Sequence, residues 1–468
     1  MKLTIYCNEA KKNLKIALPL VAANLVQASS GFISTFLIAK LGTNSLAASG
    51  LVSSLYLTFS VVFIGMFSSM SVLFSQAHGS NQPDKISILL KHSILLIGLT
   101  SISMILILWV LHLTLHYNII EPRILALATH YLHSMIWVII PCCCLTLIEQ
   151  MLIGLEKSTE VMILSLLCCP LEIFASYTLM FGKFGLPRFG IAGIGYGLSI
   201  TYTIITLLAI IYISQHKDMR QYNPFASTSC FEFKLLKEIL KISWPIAIMY
   251  GIEISLFAVI ALLMGKFGAT ILNAHQIVMQ FLRLEMSVIF AFMQATSIRV
   301  GFTIGNRDFT KLTIVGAVGM SLAITIAMMI GGIYCLYPET LIALDISSQQ
   351  MSSGTISILA TKLFIVVAVF QIAEAIRIVA IGALRGMKDT RFAMINSLIA
   401  FWLIGFSLSY ILGIILKGEA IGLWLGITIG MFCSAVILVL RYHHLTKRYT
   451  LRINEDANGK CIISSELV

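Results

Sequence analysis

The sequence predicts an all-α polytopic membrane protein of twelve transmembrane helices, arranged as two pseudo-symmetric six-helix lobes around a central cavity. Three observations carry that expectation. Of 468 residues 58% are hydrophobic and only 11% charged, where a soluble domain has about 25% charged residues. Apolar runs of about 20 residues, the length that crosses a bilayer, recur along the chain. The basic residues are segregated between the connections that join those runs.

The runs span approximately residues 14–39, 46–77, 88–113, 127–153, 159–182, 190–214, 242–265, 272–299, 312–336, 356–384, 392–416 and 419–441. In lipid every backbone amide must be paired within its own segment, so each run is predicted as a helix. The short connections leave no room for a soluble catalytic domain. With the N-terminus placed inside, 22 of the 32 Lys and Arg fall on the cytoplasmic side and six on the outer side. Arg283, Arg299, Lys362 and Arg377 lie within or at the edge of helices. This is a positive-inside pattern, so the net charge of +11 reports topology rather than nucleic-acid binding. Twelve spans put both termini in the cytoplasm. The ten cysteines include no CxxC pair and read as small apolar residues, not a disulfide or metal framework. The start, MKLTIYCNEAKKNLK, lacks the apolar core and cleavage site of a signal peptide, so the first helix is expected to be retained.

The hydrophilic stretch near the middle of the chain divides it. The expected organisation is a first lobe over 1–213, a cytoplasmic linker over 214–239, a second lobe over 240–442 and a cytoplasmic tail over 443–468. An internal repeat supports the division. Shifted by 226 residues, 19–79 aligns on 245–305 without a gap, matching Pro19 with Pro245, Lys40 with Lys266, Gly42 with Gly268 and Gly79 with Gly305. A second echo, LIGLEKSTEVMI (152–163) on LRGMKDTRFAMI (384–395), has a shift of 232. Both halves start inside, so they should be related by an axis along the membrane normal, as in carriers with alternating access. Pro19 and Pro245 stand near the starts of helices 1 and 7, either as bends or as first-turn prolines.

Charged groups inside the membrane are the candidate functional residues. Glu253 lies in MYGIEISLFAVI, 12 residues after Lys241 and 13 before Lys266. At about 1.5 Å per residue it sits roughly 18–20 Å from either end, near the midplane. A carboxylate there costs at least a few kcal/mol and needs a partner, a proton or a cavity. Its repeat mate is Gln27. Glu374 and Glu172 lie at similar depth, with Arg377 three residues after the first on one helical face and Ser176 one turn after the second. Glu374 with Arg377 can be a structural ion pair, a functional site, or both. Arg283 and Glu285 share helix 8 but, two apart, do not face each other. A carboxylate withdrawn from water can take a proton on one side of a membrane and release it on the other. The same oxygens suit sodium, with Glu253 and Glu374 the candidate ligands, so sodium and proton both stay open. Aromatic faces hold organic cations, which makes Tyr250, Phe257, Phe290 and Phe370 candidate substrate contacts beside Gln27, Ser34, Ser176, Gln280, Arg283 and Arg377.

Three stretches resemble the multidrug and toxic compound extrusion (MATE) family, in its bacterial NorM-like branch. They are GIEISLFAVIALLMGKFGATILNAHQI (251–277) leading to SIRVGFTIGNRD (297–308), FQIAEAIRIVAIGALRGMKDT (370–390) and GKFGLPRFGIAGIGYG (182–197). The resemblance covers about residues 13–442. It implies export of organic cations and other drugs in exchange for inward sodium or protons, in the bacterial inner membrane, by a monomer without a cofactor. Its partners would be small-molecule drugs and membrane lipids, and no nucleic acid. By residue, Glu253 matches the acidic group of helix 7, Glu374 the usual Asp of helix 10, and Glu285 an acidic position on helix 8. The first two would belong to one cation site in the second lobe. Two departures stand out. Ser34 occupies the place of the usual helix 1 Asp, and Glu172 and Ser176 occupy those of two Asn on helix 5. Glu172 is therefore expected to replace the missing first-lobe acid.

The alternative is a flippase or exporter of a lipid-linked or anionic solute, which would need a cavity lined by Arg and Lys. An intramembrane enzyme is not expected, because neither His-Glu-x-x-His nor Gly-x-Ser-x-Gly occurs. Acids scattered over several helices, rather than set in rings, argue against a channel.

Overall fold

The structure is a computed structural model that describes residues 2–117, 121–216, 219, 221–222, 232–345 and 354–457. Residues 217–218, 220 and 223–231 of the expected linker, and 458–468 of the expected tail, lie outside the described residues. Among the described residues there is no strand, and twelve helices are long and apolar enough to cross a bilayer. They are α1 (Lys2–Ala39), α2 (Thr43–Gly79), α3 (Pro83–Tyr117), α4 (Pro122–Gly154), α5 (Ser158–Phe181) and α6 (Ala192–Gln215). Then come α7 (Phe233–Lys266), α8 (Ala269–Gly305), α9 (Leu312–Leu336), α10 (Gly354–Gly386), α11 (Thr390–Ile415) and α12 (Glu419–Ala457).

Each apolar run of the sequence lies in one of these helices to within two residues at its ends, but several helices run further. α1 starts at Lys2, α7 at Phe233, and α12 continues to Ala457. An apolar run marks only the hydrocarbon layer, whereas the backbone ladder continues into the headgroup region, where Lys and Arg are soluble. Pro19 and Pro245 consequently lie well inside α1 and α7, so neither is a first-turn proline. Large apolar side chains such as Ile102, Trp137, Leu262 and Leu403 are exposed on the helix surfaces, as lipid contact requires.

The repeat is written into the backbone. Gly42 and Gly268 precede α2 and α8 with φ 111° and 108°, a region that side chains rarely adopt. Past the other ends of these helices, Asn81 and Arg307 take φ 54° and 57°. Glu156 and Lys388, matched by the second shift, take φ 59° and 63°. Turns of one kind at matched positions make duplication a property of the structure as well as of the letters.

The chain forms two compact units. One is Lys15–Ile254; the other joins Met1–Leu14 to Ser255–Val468. The first turns of α1 thus belong with the later helices, and α7 up to Ile254 belongs with the earlier ones.

In the unit Lys15–Ile254, α4 packs against α2, α3 and α6, and α5 against α6. Leu108, Tyr131, Leu132, Met135, Val138, Met180 and Ile194 form its core. A stripe of glycines lets α6 approach closely. A Cβ at Gly195 would lie 2.2 Å from Ser134 Oγ, and one at Gly197 would lie 2.6 Å from Ser176 Oγ. Such small-residue seams hold helices together where no hydrophobic effect acts between them.

In the other unit α10 is central and packs against α8, α9 and α12. The start of α1 docks here through polar bonds. Arg299 Nη2 donates to Glu9 Oε2 at 2.8 Å with both side chains buried, and Asn13 Nδ2 donates to Thr296 Oγ1 at 3.2 Å. α11 is partly π-wound, over Ile399–Phe406 and Ile411–Ile415. Its partner α12 offers Gly422, Gly426 and Gly430 to it. A Cβ at Gly426 would fall 2.1 Å from Ser409 N, where only backbone could yield. Gly426→Val is therefore expected to lower stability by about 2 kcal/mol or more. A thermal midpoint in detergent equal to that of the parent would show that α11 can retreat.

Candidate functional site

Besides the Glu9–Arg299 pair, buried charges lie at Glu285, Glu374, Arg377 and Arg385 in one unit and at Glu172 and Glu253 in the other. In the unit containing Ser255–Val468, Glu374 and Arg377 form a bidentate pair, with Nε to Oε2 at 2.8 Å and Nη2 to Oε1 at 2.6 Å. The (i, i+3) spacing on α10 sets both on one face. The two side chains are 1% and 0% exposed. The guanidinium stacks over the Phe401 ring, 4.9 Å from its centroid, and Phe257 meets Phe401 edge-on at 6.5 Å.

Glu285 of α8 is a different case. It is 3% exposed, and neither carboxylate oxygen has a hydrogen-bond partner among the described residues. Glu374 acts on it electrostatically, and its own charge is felt by Tyr334 of α9. One turn before Glu374, the buried Gln371 donates to Ala327 O at 2.9 Å across Gly331, and its Oε1 has no partner among the described residues. Phe364 packs against both Phe281 and Tyr334, with ring centroids 5.7 Å and 5.3 Å away. A buried carboxylate with open lone pairs, beside a neutralised pair and aromatic walls, can accept a proton or one small cation.

In the unit Lys15–Ile254, Glu172 of α5 is 8% exposed. Ser30 of α1 lies beside it, and Tyr131 and Tyr202 feel its charge. Ser34 is one turn further along α1, with a buried Oγ that has no partner among the described residues. The acid of α5 thus faces the stretch of α1 that holds Ser34. Tyr202 is coupled in turn to Tyr56 and Cys142. Those two line a small open crevice between α2, α3 and α4, whose walls are otherwise mostly apolar. Glu253 of α7 is also in this unit, 7% exposed. The resemblance grouped Glu253 with Glu374; the two fall in different compact units.

The other sequence-chosen residues spread widely. Gln27, Gln280 and Arg283 are exposed, and Arg283 Nε donates to Met279 O at 3.2 Å. Phe257 and Phe290 are half-buried. Tyr250 is half-buried with its ring against Gly65, where a Cβ would lie 2.4 Å from Cδ2. Ser176 is sealed under Gly197, and Phe370 is fully buried edge-on to Trp424 at 5.3 Å, so both side chains pack helices together. Sequence reasoning passed over Gln371, Tyr334 and Tyr202. Gln371 carried a signal, a second polar group three residues before Glu374; the tyrosines looked like any aromatic of an apolar run. Among the described residues no three of His, Cys, Asp and Glu gather as a metal site.

The MatE family model matches residues 19–178 and 245–411, one block in each half, the two starts offset by the repeat shift of 226. The chain belongs to the MatE family. Its matched blocks contain Glu172, Glu253, Glu285 and Glu374. Among curated relatives, the probable multidrug resistance protein NorM of Synechocystis sp. is 28% identical over 440 residues, covering 94% of this chain and 95% of its own length. The multidrug resistance protein NorM of Photobacterium profundum is 27% identical over 440 residues, covering 93% and 95%. Among solved structures, the eukaryotic MATE transporter AtDTX14 superposes with a TM-score of 0.82 at 20% identity, covering 96% of this chain and all of that one. An outward-facing multidrug resistance MATE family transporter gives 0.83 at 17%, covering 94% and 96%. At such identities these structures speak for the MatE fold alone.

Proposed function

We propose that this MatE-family chain exports organic, mostly cationic drugs by antiport with sodium or protons, alternating access between two lobes. The observation that carries the proposal is Glu285, a buried carboxylate with no protein partner for either oxygen among the described residues. A charged group of that kind is costly in a membrane, and such groups mark ion and proton paths. The names of the NorM relatives support drugs as the substrate class. Glu253 and Glu172, each buried, are the further candidates for cation coupling. The charge distribution supports a bacterial inner-membrane location with both termini inside. A flippase for anionic solutes needs free cations in the membrane; here Arg377 is matched by Glu374 and Arg299 by Glu9.

The direct test is dye uptake by inverted vesicles under a sodium gradient or a pH gradient, each imposed alone. Export appears as uptake that follows one of the two. Uptake indifferent to both defeats the antiport reading. Within this reading Glu172 takes the place of the α1 acid, since Ser30 and Ser34 stand on the side of α1 that it faces. Glu172→Gln is expected to cut transport several-fold and to flatten its pH profile. Full activity with an unaltered profile would assign Glu172 to packing.

A further inference from the structure

The end of α3 and the start of α4 hold a histidine pair that the exporter reading leaves unused. Four of the ten histidines in the chain fall between residues 112 and 133. His112 and His116 stand four apart near the end of α3, and His130 and His133 three apart in α4, so each helix carries its two on one face. Short histidine-rich tracts are a compositional mark of metal binding. The structure brings one histidine of each helix together. The rings of His112 and His133 have centroids 5.1 Å apart and planes tilted by 51°. Two imidazoles that each give one nitrogen to a tetrahedral ion, at the usual Zn–N length of about 2.0–2.1 Å, hold their centroids about 5 Å apart. The observed spacing is therefore the one that a shared ion requires. Both helices belong to the unit Lys15–Ile254 and pack on each other, so the fold itself sets that spacing. His133 is exposed and His112 half-buried. Trp109 and Trp137, one turn from them toward the apolar middles of α3 and α4, are exposed, as tryptophans at a membrane interface are. The pair thus stands at headgroup level, within reach of dissolved ions.

We propose that His112 and His133 form a site for one imidazole-seeking divalent metal ion, such as zinc or nickel, that clips α3 to α4. In the topology proposed above the site opens to the outer side of the membrane. Imidazole nitrogens suit zinc, copper and nickel, whereas magnesium and calcium take oxygen ligands. The two rings supply two ligands and water completes the shell, since among the described residues no three of His, Cys, Asp and Glu gather as a metal site. A shell half made of water keeps the ion exchangeable. Each imidazole binds in its neutral form, so the positive charge arrives with the metal. The inference stands apart from the antiport reading, because neither histidine belongs to the buried acids on which that reading rests.

The test uses the untagged full chain in detergent, stripped with EDTA. His443→Gln and His444→Gln form the background, to remove the exposed histidine pair of α12. Zinc chloride alone is the probe, followed by calorimetry and by the thermal midpoint. Zinc should bind at about one ion per chain and raise the midpoint once its concentration passes the dissociation constant. Magnesium chloride should do neither. His133→Gln should weaken zinc by roughly tenfold or more, and His112→Gln likewise. His133 is exposed, so its variant decides the matter even if His112→Gln does not fold. His130→Gln, one turn away on α4, should stay close to the parent. Zinc affinity unchanged by His133→Gln overturns the proposal, as does a loss on His130→Gln equal to that on His133→Gln. Equal binding of magnesium, or a parent that binds no zinc at millimolar concentration, overturns it too.

Discussion

Glu374→Ala is expected to destabilise the folded protein by about 3–5 kcal/mol, because it leaves a fully buried guanidinium without its anion. The structure makes the cost specific. Arg377 is 0% exposed, and both hydrogen bonds of the pair are directed at the lost carboxylate. The cation–π contact with Phe401 offsets about 2 kcal/mol of the loss. Arg377 is wholly buried against other side chains, so its head cannot snorkel to water as a lysine near a helix end does. Removing both charges together, as Glu374→Leu with Arg377→Met, should be far milder, because a neutral pair of similar volume carries no desolvation penalty. The check is the thermal midpoint of each variant in the same detergent. A double variant as unstable as the single one would mean that shape, rather than charge, is what α10 needs there.

Glu253→Gln is expected to reduce gradient-driven dye transport by roughly tenfold or more while leaving the thermal midpoint close to that of the parent. Glutamine keeps the size and the acceptor oxygen, so packing around α7 survives. The lost property is the ability to become negative near the midplane, about 18 Å from Lys241 along the helix. Glu253→Asp keeps the charge and should recover part of the activity. Transport that survives Glu253→Gln with an unaltered dependence on the gradients would remove this residue from coupling and leave that role to Glu285 and Glu172.

The twelve spans were legible because lipid forbids unpaired backbone, and an apolar run of the right length has one solution. The repeat was legible for a related reason. Gly42 and Gly268 occupy a backbone region that excludes side chains, so their identity persisted while their neighbours drifted. The acids stood out as charges in apolar surroundings. What stayed hidden depends on tertiary distance. Arg299 looked like a helix-edge charge, yet its partner Glu9 is 290 residues away in the chain. Nothing local in that stretch marks the start of α1 as part of the later unit. The π-winding of α11 lies within IAFWLIGF, a stretch whose composition suits an ordinary helix equally well. The Glu374–Arg377 pair was one of the readings that the i, i+3 spacing allowed, but the open oxygens of Glu285 show only in the side-chain geometry.

The central claim is exchange: drug moves one way because an ion moves the other. It is tested most directly in proteoliposomes loaded with a cationic dye, with no ion gradient imposed and with ion fluxes followed on both sides. Outward dye flow should drive sodium or protons inward against no initial gradient, and Glu285→Gln should abolish the counterflow. Dye that leaves at the same rate with neither ion entering would contradict the account.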